Sequence, residues 1–124
     1  MMPFSQAAAN AYRKVDLDAR IEASSGEDLT LICLEEAVAS LGQAIAAIEN
    51  RPGQIPREAL SRAHGIAIWL ARGVAADNPL SGPLTQFYGG VADTIARNLT
   101  RSSPLELART RDDLNDLLQA ALTA

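Results

Sequence analysis

Residues that carry chemistry are scarce in this chain. Its 124 residues include one cysteine, Cys33, and one histidine, His64. A single thiol excludes an intramolecular disulfide and any cysteine-based zinc site. A single imidazole excludes a diiron carboxylate bundle, which takes a Glu-x-x-His motif from each of two helices. Aromatic residues make up 4% of the chain, and no run of Val, Ile, Thr and aromatics alternates with period two, so strands are not expected. No apolar run approaches the roughly 18 residues that cross a bilayer. The opening Met1-Met2-Pro3-Phe4-Ser5-Gln6 has neither the basic region nor the apolar stretch of a secretory signal. These absences predict a soluble cytoplasmic protein with no membrane partner. Basic residues are also few. Eleven Lys and Arg stand against fifteen Asp and Glu, for a net charge of −4, and the longest basic run is Arg13-Lys14. That sign is wrong for a protein that neutralises phosphates, so nucleic acid is not an expected partner.

What is present is enough for one globular domain. Apolar residues make up 48% and charged residues 21%, and a chain of this length buries about two-thirds of its unfolded surface without metal or disulfide staples. Helical spacing recurs along it. Ala8, Tyr12, Val15 and Ala19 form a weak stripe, interrupted by Asp16 and Asp18. Ser24 or Ser25, followed three residues later by Glu27 or Asp28, matches a capping box in either register. From there Leu31, Leu34, Val38, Leu41, Ile45 and Ile48 define a long helix, with Leu29 and Ile32 widening its stripe. Asn50-Arg51-Pro52-Gly53 ends it.

Pro56 suits the first turn of a second helix. Its stripe is Ala59, Ala63, Ile66, Leu70 and Val74, flanked by Leu60, Ala67 and Trp69, and it stops near Asp77-Asn78. A third helix carries Leu84, Phe87, Val91, Ile95 and Leu99 to about Thr100, with Pro79 and Pro83 as alternative first-turn residues. Ser103-Pro104 opens a fourth, whose buried side is Leu107, Thr110, Leu114, Leu117 and Ala121. Short breaker-rich links between long amphipathic helices predict an all-α, antiparallel up-down four-helix bundle over residues 23–124. Residues 1–22 form a separate N-terminal segment, either a mobile stretch or a short additional helix.

None of the reactive residues stands in a catalytic pattern. Ala63-His64-Gly65 lacks the lysine that would accompany a phosphoryl-accepting histidine on a helical bundle, so a phosphotransfer domain ranks below a packed or surface histidine. Cys33 lies in the apolar stretch Leu31-Ile32-Cys33-Leu34 with no activating base in view. Glu35-Glu36 and Asp112-Asp113 are adjacent on helices and point about 100° apart, which suits solvated faces better than acid–base or metal pairs. Asn98-Leu99-Thr100 matches a glycosylation acceptor only incidentally. Core or half-buried packing is the plain reading for Trp69, Phe87 and Tyr88, whereas Tyr12, in a weakly patterned region, needs a partner surface. The residues alone therefore indicate a non-enzymatic helical interaction module with no catalytic residue, cofactor or metal.

An ordered set of motifs resembles the flagellar export chaperone family FliS across nearly the whole chain. Ala11-Tyr12, followed thirteen residues after the tyrosine by Ser25, is similar to that family's N-terminal tyrosine and helix start. Leu29-Thr30-Leu31-Ile32-Cys33-Leu34-Glu35-Glu36-Ala37 resembles its Leu-Ile-x-x-Leu-Tyr-Asp-Gly-Ala signature. Glu58-Ala59-Leu60-Ser61-Arg62-Ala63, Leu84-Thr85-Gln86-Phe87-Tyr88, Asn98-Leu99 and the Leu114–Leu122 stretch follow in order. Departures are Gly26 for proline, Leu34 for tyrosine, Glu36 for glycine, Pro83 in the third helix start and Leu122 for tryptophan. The resemblance implies a cytoplasmic chaperone that binds the C-terminal segment of flagellin and prevents polymerisation before type III export. It also implies contact with the export gate as a further partner, leaves self-association open, and requires no cofactor. Its partner-binding candidates are Tyr12, Val15, Leu34, Leu84 and Tyr88, of which Leu34, Leu84 and Tyr88 line either the bundle core or the groove. The alternative is a generic helical adaptor for another client.

Overall fold

The computed structural model describes residues 26–123, which form four α-helices with no strand among them. The helices are α1 (Gly26–Asn50), α2 (Arg57–Gly73), α3 (Ser81–Asn98) and α4 (Pro104–Leu122). The expected N-terminal segment 1–22 and the Ser24/Ser25 cap lie outside the described residues. Helix α1 packs against both α2 and α4, and α2 also packs against α3. The α3–α4 contact is much the sparsest of these pairings. The result is an all-helical bundle with one loose seam.

The links follow from their turn chemistry. After α1, Arg51-Pro52-Gly53-Gln54 closes with the Gln54 N–H donating to the Arg51 carbonyl at 3.1 Å, and Gly53 takes φ 90°. Proline second and a positive-φ glycine third is the pattern a type II turn requires. Helix α2 ends at Gly73, short of the expected Asp77-Asn78, because Val74 leaves in an extended conformation. Asn78 organises the link instead. Its Oδ1 accepts from the Leu80 N–H at 2.8 Å and its carbonyl accepts from the Ser81 N–H at 2.9 Å, an Asx turn that leads into α3. Starting at Ser81 places Pro83 within the first turn, where its missing N–H costs no helical hydrogen bond.

Helix α3 ends at Asn98 rather than Thr100, and Asn98 explains the stop. Its side chain is fully buried. Its Nδ2 donates to the Thr94 carbonyl at 2.8 Å and to Glu106 Oε1 at 2.7 Å, and its Oδ1 accepts from the Ser103 N–H at 2.6 Å. Ser103 caps α4 by accepting from the Glu106 N–H at 3.3 Å, with Pro104 as the first helical residue. In a full capping box the glutamate would reach back to the Ser103 N–H. Here Asn98 satisfies that N–H, and Glu106 turns to Asn98 and to Arg97 Nη2 at 3.4 Å. One buried amide thus ties the end of α3 to the start of α4. Across the bundle, Arg57 Nη1 donates to the Leu99 carbonyl at 3.4 Å.

The core is mainly Leu34, Leu41, Leu60, Ile95, Leu107 and Leu114, with alanines such as Ala44, Ala63 and Ala92 allowing close approach. Two expected stripes are rotated. On α4, Leu118 is buried where Leu117 and Ala121 were expected; Leu117 is half-buried and Ala121 exposed. On α3, Tyr88, Ala92 and Asn98 are buried, whereas Leu84, Phe87 and Leu99 are only partly so. Both rotations have one cause: α4 packs chiefly on α1 and α3 chiefly on α2, which leaves the facing edges of α3 and α4 partly uncovered. Trp69 is 44% exposed, outside the core that its stripe suggested. One expectation about hydropathy also needs correction. The stretch Asp28–Asn50 reaches a mean hydropathy of 1.6 and is long and apolar enough to cross a membrane. A search for uninterrupted runs misses it because Glu35 and Glu36 intervene. Half of its apolar window lies buried within the bundle, as in the core helix of a folded domain.

Candidate functional site

Apolar clefts open where α1 begins, α2 ends and α3 begins, and along the α3–α4 seam. The early end of α2 leaves a hollow of about 610 Å³ between Leu29 and Thr30 of α1, Trp69, Leu70 and Gly73 of α2, Val74 in the link, and Leu84 and Tyr88 of α3. A second cleft of about 400 Å³ lies in the loose seam, between Leu80, Pro83, Leu84 and Phe87 on one side and Asp113, Asp116 and Leu117 of α4 on the other. Leu84 lines both. Trp69 and Leu80, which line these clefts, are exposed. Large apolar side chains held at the surface in adjoining clefts are the usual mark of a protein-binding site. Around the link after α1 there is a hollow of about 450 Å³ of more polar make-up, lined by residues that include Gln43, Asn50, Arg51 and Gln54.

The candidates divide accordingly. Leu84 and Tyr88 stand together at the first cleft. Tyr88 is only 4% exposed, and its ring lies 5.6 Å from that of Phe87 at 57°. Its phenol is shifted up from its ordinary value by burial. Leu34 is 1% exposed and sits in the core, so it supports the fold from behind and offers a partner no surface. Tyr12 and Val15 lie outside the described residues. The sequence pattern did not single out Leu80 or Asp116, and it assigned Leu117 to the core stripe and Asp113 to a solvated face. Nothing in their spacing could have placed them at a cleft, because whether such positions are covered depends on which helix is the neighbour.

Among the described residues, no group of three or more His, Cys, Asp or Glu side chains is placed to hold a metal ion. His64 is half-buried on α2. An ion pair joins Arg62 Nη1 of α2 to Glu36 Oε1 of α1 at 3.7 Å, and the buried Ser40 Oγ and Gln43 Oε1 on α1 make no hydrogen bond. Cys33 is buried, and its thiol is pushed up from 9.0 by burial first and by the Glu36 charge second. Both effects oppose thiolate formation, so Cys33 is expected to be inert while folded. A disulfide reagent should react with the native chain at least roughly a hundredfold more slowly than with the urea-unfolded chain. The raised thiol also sets a sign. Its stabilising contribution is complete below the ordinary thiol value and is lost as pH rises through the higher folded one. Thermal melts of the wild type should therefore fall more steeply above pH 9.0 than those of Cys33→Val. Equal rates of reaction with the disulfide reagent, or superimposable pH profiles, would contradict this placement.

Compared with family models, with curated proteins and with solved structures, the chain matches none.

Proposed function

We propose that this protein is a cytoplasmic, non-enzymatic export chaperone that holds the C-terminal segment of a flagellin before type III secretion. The observation that carries this reading is the pair of adjoining apolar clefts around Leu84. The ordered FliS-like motifs give the client its identity. The links 51–56, 74–80 and 99–103 are too short for a chain to return to the far end before the next helix, which supports an antiparallel up-down arrangement.

A disordered apolar client segment folds as it lies in such clefts, and the ordering cost keeps the complex releasable at the export gate. Tyr12 and Val15 add client contacts to those of Leu84 and Tyr88. The test is titration with the isolated C-terminal segment of the flagellin from the same genome. Helix content should rise on mixing, and calorimetry should give a clearly negative heat-capacity change. Tyr12→Ala should weaken binding about 5- to 150-fold, the range for losing an aromatic anchor, with little change in melting temperature. A fall in melting temperature with unchanged affinity would assign Tyr12 to packing. No binding to that flagellin would leave a helical adaptor for another client.

A further inference from the structure

The seam between α3 and α4 combines three features. Its helices touch least of all neighbouring pairs. Its walls are apolar, with Leu80 exposed and Leu84, Phe87 and Leu117 partly buried. Its α4 rim carries Asp113 and Asp116, both exposed. No base is among the residues that line the cleft, and Arg109 stands one turn before Asp113 on α4. Arg111, the last basic residue of the chain, is held by the neighbouring Asp112 at 3.1 Å, and the final turn of α4 contains no base to offset the negative end of its helix dipole.

We propose that this seam receives one amphipathic helix of the client, and that the helix carries Lys or Arg beside its apolar stripe. The inference rests on the client-binding reading and adds the chemistry of the occupant. An apolar stripe alone would fit the walls. Only a basic flank meets Asp113 and Asp116 without leaving two like charges facing an acidic or neutral partner at the cleft edge. The sparse α3–α4 contact leaves a surface cleft along which the occupant can lie, with its apolar residues at i, i+3, i+4 and i+7.

The experiment uses the full chain and two fluorescent helical peptides with the same leucine stripe, one flanked by lysine and one by glutamate. The lysine peptide should bind the wild type roughly 5- to 20-fold more tightly, as expected for two exposed charge pairs in concert, and the advantage should shrink in high salt. The double variant Asp113→Lys/Asp116→Lys, whose sites are exposed and whose fold is checked by circular dichroism, should reverse the preference. Phe87→Ala should weaken both peptides alike. Equal binding of the two peptides to the wild type, or a preference that survives the charge reversal, would overturn the proposal. So would a wild-type dimer that the double variant dissociates, which would assign the seam to a second copy. A peptide of residues 5–20 that binds as well as the lysine peptide and is lost in the variant would assign it to the chain's own Arg13-Lys14 stretch, with the same consequence. The flagellin segment separates this inference from the reading beneath it. If that segment binds wild type and double variant equally, the seam inference fails and the chaperone reading stands. If it binds neither while the lysine peptide behaves as expected, the chaperone reading fails and the seam stands.

Discussion

Leu34→Ala is expected to destabilise the protein by about 2–5 kcal/mol while leaving client affinity per folded molecule unchanged. Leu34 is 1% exposed, in the middle of α1 and within the central apolar cluster. Truncation removes its transfer energy and leaves a cavity within that cluster. A domain of this size has a total stability of about 5–15 kcal/mol, so the loss is a large share of the whole. The urea midpoint should fall sharply with the slope unchanged. Titration below the new midpoint, with the folded fraction counted, should recover the wild-type affinity. A variant as stable as the wild type but defective in binding would place Leu34 on the client surface, as its position in the FliS-like signature suggests, and would require the bundle to open there.

Asn98→Ala should be nearly as costly, about 2–4 kcal/mol, for a different reason. The amide is fully buried and makes three hydrogen bonds within 2.6–2.8 Å. Alanine would leave the Ser103 N–H and the Glu106 carboxylate without the partner that the turn supplies, and would free the start of α4 from the end of α3. Because the α3–α4 contact is sparse elsewhere, this junction is where the two helices are held in register. Hydrogen exchange should therefore quicken first in the link 99–103 and the first turn of α4, ahead of the α1–α2 core. Substitution by leucine should not rescue stability, since an apolar side chain of similar size restores packing but none of the hydrogen bonds. A leucine variant as stable as the wild type would show that volume, and not the polar network, is what this position requires.

These two residues mark how far the sequence could be read. Leu34 fell on a 3–4 repeat strong enough to reveal both helix α1 and its core face, because a buried stripe must recur with the helical period whatever the neighbours are. Ser103-Pro104 gave the start of α4 equally well, since a capping side chain and a proline act within one turn of chain. Asn98 stood out only as the first residue of a glycosylation-like triplet and in the Asn98-Leu99 motif of the FliS resemblance. Its role depends on Glu106 and Ser103 approaching across a link, and no local pattern encodes that approach.

The candidate site divides in the same way. Leu84 and Tyr88 were singled out from motif positions, and they do meet at the first cleft. Phe87 and Leu117 were assigned to core stripes, and Asp113 to a solvated face, yet they line one cleft. Helix content, the link chemistry and most core residues are thus local properties, determined by periodicity, capping and the conformational limits of proline and glycine. Which pairs of helices close tightly and which pair stays open was decided by the tertiary structure alone. An amphipathic stripe wide enough to touch two neighbours does not specify how its contact is divided between them. Here α3 settled on α2 and α4 on α1, and the apolar edges left between α3 and α4 became the surface available to a partner.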